Sequence, residues 1–489
     1  MSRTCKLVVW AVLLLPCAAR SAPRASDAVR FRVDAGYPAS LYYLIDNMAG
    51  GSFRASAYYW EFWRKRYGLG DGDRAALERY RGLRDAFEAG RGSGDAWALL
   101  FAGSRDLDEV WAKAAERLPA KDARALKAVV LRFDRKFRPY WNKHGGYLAR
   151  EAARFESDGM PAKIAAFLAR VAGVLELPGD FTRDDLLVLA WHPGLKISAN
   201  MMHGFRLGRV LIVELPEGVG YEDQVDVAVH ELVHDLFAAV PKPVRLALSE
   251  RALNGDQRSG LFFLQGMNEG LATALGQGAF MAENFPKKFD PGGAWYASGV
   301  DAFAKAIFPE IRRALEADGT LRSSEGAMIA ALKPLAERAK LGAFFKSHVL
   351  LTDGADESLV ESLFNALDVG SVDHYSPNAD PAQREEARRR IVSDPARPVV
   401  AMLEPRSLHA PLTDLLDGML DGDKLATVKK LAAGRAVAVV SRSKSGRLYL
   451  LLLGTKEQLE DGLAILPALD YPAAGAVYSL TDGRPLSTW

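Results

Sequence analysis

The sequence predicts an α+β, predominantly helical protein. A small antiparallel sheet and a pair of buried helices lie between helical lobes, with a small α/β appendage at the C-terminus. Three observations lead there. Apolar residues recur at three- and four-residue spacing through most of the chain, as amphipathic helices require. Short β-rich runs broken by Gly and Pro cluster between about residues 177 and 218 and again beyond 398. One helical run, Val229-His230-Glu231-Leu232-Val233-His234-Asp235, is apolar nearly all round except for its histidines and acids.

Composition sets the outer limits. The chain has 489 residues, 49% hydrophobic and 25% charged, ordinary for a globular protein and long enough for about three domains. A net charge of +2 with no large basic block speaks against nucleic acid as a partner. The start reads as a secretory signal over residues 1–21: a basic beginning, an apolar run Leu7–Leu15, then small residues before a cleavage point after Ser21. That run is too short for a membrane span, and no other stretch reaches spanning length. A secreted or periplasmic location follows. Cys17 offers a lipid-anchored alternative, against which Pro16 stands where a small residue is usual. The only cysteines, Cys5 and Cys17, lie in this segment. Any metal in the mature chain must then be held by His and carboxylate.

Taken in order, residues 31–176 form an N-terminal helical region. Phe31 to Arg54 enters it as a mixed, Gly- and Pro-containing linker. Arg74–Gly90, Asp106–Arg117 and Ala120–Phe137 then read as helices, with Asp106 as a start signal. Scattered tryptophans read as packing. Residues 177–395 form the core with a second helical lobe. Leu186–Trp191 and Arg209–Leu215 are its strands, and the motif helix starts near Asp223 and ends before Pro241. Helices follow at Leu261–Ala282, Gly299–Ala317, Gly326–Lys340, Ser358–Leu367 and Ala382–Val392, with Ser371–Asn378 as a turn-rich loop. Residues 398–489 form a small α/β domain with strands at Val399–Leu403, Ala436–Val440 and Leu448–Leu453.

The chemistry concentrates in the motif. His230 and His234 are four apart, so on a helix they project from one side, one turn above the other. Two imidazoles so placed can hold one Zn²⁺, and Glu231 between them can reach a metal-bound water. Polar groups on so apolar a helix need partners, which a metal supplies. Catalytic zinc takes three protein ligands and leaves a fourth position open. Glu269, in Met267-Asn268-Glu269-Gly270-Leu271-Ala272, is a lone carboxylate in a small, apolar stretch with 34 residues between it and His234, and is the third-ligand candidate. His192, His203 and Glu214 compete for that place from upstream strands or loops.

His-Glu-Leu-Val-His followed by Asn-Glu-Gly-Leu-Ala resembles the gluzincin metallopeptidases, over about Asp185 to Gln277. The resemblance implies one Zn²⁺ on His230, His234 and Glu269, with Glu231 as general base, and a peptide or protein substrate. It also implies a sheet whose edge strand pairs with that substrate, a place Val210–Leu215 would fill, and an oxyanion donor from a later helix or loop. Tyr375, His374, Tyr296 and His203 are the candidates for that donor. Two departures leave the subfamily unassigned. Thr273 stands where thermolysin-like members have an Asp supporting the first His. The amine-gripping motif of aminopeptidase-N-like members is missing upstream, and Met281-Ala282-Glu283-Asn284 lies on the wrong side of the motif. Asp235 is either a supporting group for the site or a partner for an Arg. The reading is thus an exported zinc peptidase. The alternatives are a non-catalytic, metal-bearing binding or scaffold protein and a zinc hydrolase of a non-peptide amide.

Overall fold

Four strands form the floor on which the motif helix lies. They are β1 (Val29–Asp34), β2 (Arg183–His192), β3 (Gly204–Leu207) and β4 (Val210–Pro216), side by side in the order β1-β2-β4-β3. β1 pairs parallel with β2 and β2 parallel with β4, while β3 alone runs antiparallel, against β4. The sheet is therefore mixed, where the sequence led us to expect an antiparallel one. Parallel neighbours need a crossover, and the helical region between β1 and β2 is that crossover. The computed structural model describes residues 29–49, 62–66, 68–89, 95–192, 204–296, 298–352, 357–367, 371–376, 381–394, 397–408, 414–416, 420, 422–443, 447–472 and 475–488. The signal segment 1–21 with its two cysteines lies outside them. Among the described residues no helix is long and apolar enough to cross a membrane.

The stretch read as a linker holds β1 and a helix, α1 (Tyr37–Met48). In β1, Val29 and Phe31 are buried while Arg30 and Arg32 face out, the period-two pattern of a half-buried strand. After Tyr37 every residue of α1 is buried. The crossover continues through α2 (Asp71–Ala89), α3 (Leu107–Arg117), α4 (Ala120–Ser157) and α5 (Met160–Val174). The Asp106 carboxylate caps α3 by accepting from the Glu109 backbone N–H at 2.9 Å. Beyond the sheet come the motif helix α6 (Val225–Ala238), α7 (Lys242–Asn254), α8 (Gln257–Thr273), α9 (Ser298–Glu316) and α10 (Leu321–Arg338). One hydrophobic core runs through all of these, from Val29 to Leu332, without a break at 176–177.

A second, seven-stranded sheet follows, in the order β11-β10-β8-β9-β7-β5-β6. Its strands are β5 (Ser347–Thr352), β6 (Ser371–Tyr375), β7 (Val399–Leu403), β8 (Val437–Arg442), β9 (Leu448–Leu453), β10 (Ala476–Ser479) and β11 (Pro485–Thr488). β6, β5, β7 and β9 are parallel; β8, β10 and β11 add antiparallel. The turn-rich loop expected at Ser371–Asn378 is thus largely β6, an edge strand. The sheet spans 347–488, so the change of character seen at 398 falls in its middle. Its central strands are buried on both faces: Val399, Ala401 and Leu403 enter one core, Val400 and Met402 the other.

Helix α8 belongs to both bodies. Its Arg258 guanidinium donates to the carbonyls of Ala336, Glu337 and Ala339 at 2.8, 3.1 and 3.0 Å, and Leu261 lies in the second sheet's core. The Ser347 N–H at the start of β5 donates to Gln265 Oε1 at 3.0 Å. On α10, Glu325 is 2% exposed and paired with Arg251 of α7 at 3.1 Å. Burial pushes its carboxyl up to about 7, against the pull of Arg251. The folded chain thus keeps this proton where an unfolded chain releases it, near pH 4.5. Folding is disfavoured progressively as pH rises through that window. Glu325→Gln is expected to stabilise the protein at pH 8 by about 2 kcal/mol and to leave it unchanged at pH 4. Thermal unfolding at the two pH values checks this; equal effects at both would refute it.

Candidate metal centre

α6 is anchored before it can present anything. Val225, Val229, Leu232, Val233 and Leu236 are buried, each contributing on the order of 2 kcal/mol. The helix opens at Val225 after Gln224, so Asp223 is not its cap. Asp223 ends a 3₁₀ turn and pairs with Lys288 at 2.6 Å. Near the other end, buried Asp235 forms ion pairs with Arg183 of β2 and Arg206 of β3. Arg183 also binds Asp185 through Nε at 2.5 Å. Asp235 is therefore a partner for arginines, and it ties α6 to the sheet.

Three side chains converge above this base. His230 Nε2 and His234 Nε2 are 3.0 Å apart. From α8, Glu269 turns one oxygen to each, 3.4 Å from His230 Nε2 and 3.5 Å from His234 Nε2. Two donors each about 2.0–2.1 Å from one tetrahedral ion stand about 3.4 Å apart. The three side chains therefore fit a small metal ion. Glu231 also lies near, its carboxylate within 4.8 Å of both imidazole donors. Glu269 is the closer carboxylate and the only one reaching both imidazoles from a second helix, so we take it rather than Glu231 as the third donor.

Electrostatics separates the two acids. Burial opposes ionisation of both. At Glu269 the hydrogen bonds and charge of His230 and His234 prevail and hold the carboxyl well below the usual carboxylate range. At Glu231 the same histidines only partly offset burial, and its carboxyl stays above its ordinary value.

Both imidazoles are oriented from behind. His234 Nδ1 faces Asn268 Oδ1 at 3.0 Å. His230 Nδ1 faces Gln277 Oε1 at 3.2 Å, with Thr273 Oγ1 at 3.5 Å. An amide oxygen only accepts, so each Nδ1 is placed to donate, and a ring that gives up its Nε2 proton to a metal turns that lone pair inward. The sequence reading singled out neither amide. Asn268 is adjacent to Glu269, a signal that was present. Gln277 sits on a π-helical segment, Ala274–Phe280, that continues α8.

The remaining predicted residues sort clearly. Tyr296 stacks on His230 with ring centroids 5.2 Å apart and planes 8° apart. Burial and the charges of Glu269 and Glu231 push its hydroxyl up to about 12, so at neutral pH it is a donor. His374 and Tyr375 lie on β6 of the second sheet, where His374 Nε2 meets Thr352 Oγ1 at 2.8 Å. His203 lies outside the described residues. Among the competing third ligands, Glu214 accepts from Tyr43 Oη at 2.7 Å and lies 3.8 Å from His192 Nε2, deep in the first sheet. Glu283 of the Met281–Asn284 run pairs with Arg170. Among the described strands the edge beside α6 is β3, not Val210–Leu215: β4 is paired on both sides. β3 passes so near α6 that a Cβ on Gly204 would stand 2.9 Å from Glu231 Cγ. Glycine there leaves Glu231 its place.

Glu269→Ala is expected to drop the metal content of the purified, dialysed chain well below the one equivalent expected for wild type. Retained stoichiometric metal in that variant would remove Glu269 from the donor set. No family model, curated protein or solved structure matches this chain, and the site's own geometry carries the functional reading.

Proposed function

We propose that the chain is an exported zinc peptidase of the gluzincin type, with one Zn²⁺ held by His230, His234 and Glu269. The observation that carries the reading is the meeting of those donors from two helices with Glu231 alongside. Zn²⁺, when bound, supplies Lewis acidity: it polarises a carbonyl and acidifies water. The protein's residues do the rest. An extended peptide lies along the side of β3 away from β4, where main-chain pairing fixes its register and sets the scissile bond over the site. Glu231, its proton affinity raised by burial, takes a proton from the attacking water and delivers it to the leaving amine. Tyr296, beside His230 and kept protonated, donates to the oxygen on which charge develops. Arg206 and Asp235 hold β3 against α6, so the bound strand keeps its height above Glu231.

Glu231→Gln is expected to keep its zinc and lose 10²- to 10⁴-fold in kcat on a mixed peptide library. Tyr296→Phe is expected to keep zinc and lose roughly 10²-fold in kcat with little change in KM. Wild type that binds zinc yet cleaves no peptide would favour a metal-bearing binding protein or a hydrolase of another amide. Undiminished cleavage by Glu231→Gln would remove the assigned base.

A further inference from the structure

The π-helical segment after α8 has no part in the proposed chemistry, yet it touches the site. In an α-helix four residues overshoot a full turn by ~40°. Thr273 and Gln277 are four apart and both face His230, and the wider π turn between them alters the angle at which Gln277 arrives. π turns of this kind are rare and collect at functional sites. The backbone approach is equally specific. A Cβ on Gly276 would stand 2.9 Å from the His230 backbone nitrogen and 3.0 Å from the Asp226 carbonyl oxygen, so only glycine lets the turn press this close to α6. Gln277 itself is 7% exposed and reaches His230 Nδ1 at 3.2 Å, nearer than Thr273 at 3.5 Å.

We infer that Gln277 is a positioning residue for the metal ligand His230, delivered by the π turn. It holds the imidazole proton on Nδ1 and aims Nε2 at the donors on His234 and Glu269. The inference rests on the metal reading above and adds a residue, and a helical distortion, that the motif does not contain. Its acceptor is a neutral amide. A carboxylate in its place would make the ring a more basic ligand.

The test is zinc affinity, measured on the full chain by competition with a chromophoric chelator, together with the visible spectrum of the Co²⁺-loaded protein. Gln277→Leu is expected to bind zinc 10- to 100-fold more weakly than wild type and to shift the Co²⁺ bands. Gln277→Glu keeps the length and the acceptor, and is expected to bind zinc at least as tightly as wild type. Thr273→Val is expected to stay near wild type. Unchanged affinity in Gln277→Leu overturns the assignment, as does Gln277→Glu binding as weakly as Gln277→Leu. A loss in Thr273→Val as large as that in Gln277→Leu overturns it as well. Wild type that takes up no zinc overturns the metal reading itself, an outcome distinct from a failure confined to Gln277. Far-UV circular dichroism of the metal-free variants separates lost affinity from lost folding.

Discussion

The approach of two helices across Gly276 governs the rest of the site. His230 belongs to α6 and Glu269 to α8, and Gly276 lets the π-helical continuation of α8 press against the α6 backbone beside His230. A side chain at position 276 would hold them apart at the level of His230. With the gap closed, one carboxylate meets two imidazoles, and an amide meets the back of each ring. Buried His230 and Gln277 would be costly on helices so apolar without these partners.

The sheet below solves a different problem. α6 must hold its height over an edge strand only four residues long, and hydrophobic contact alone permits sliding. Asp235, bound to arginines from β2 and β3, pins the helix at a single register. A buried charge cluster contributes little net stability, but breaking one member leaves the others uncompensated. Such a cluster acts as a locating pin more than as a glue. That is its use beside Glu231, whose distance from the β3 backbone is set by a missing Cβ.

Much of the site was legible in the sequence because its signals are local. Four-residue spacing placed His230 and His234 together, and the apolar surroundings of Glu269 marked it as a carboxylate in need of a cation. The predominantly helical α+β class and most helix positions were legible for the same reason. What escaped depends on partners far along the chain. Val29–Asp34 has a period-two pattern, but its flanking glycine and proline read as a linker until β2 pairs with it. Ser371–Tyr375 is polar because it is an edge strand. Nothing in Gly276-Gln277-Gly278 distinguishes a π turn from an α turn. The edge position of β3 follows from pairing order, which no local pattern carries.

Helix α8 ends at the candidate metal centre and near its start places Leu261 in the second sheet's core. Arg258 lies over the rings of Phe344 and Tyr471 in that core, and Gln265, one turn before Glu269, accepts from the first residue of β5. A helix of this length is stiff along its axis. The seven-stranded sheet is thus a foundation for one of the three donors, though it contributes none itself. Thermal loosening of that sheet would reach Glu269 while leaving His230 and His234 in register. A change in how that sheet sits would move Glu269 relative to His230 and His234, which stand on a different helix.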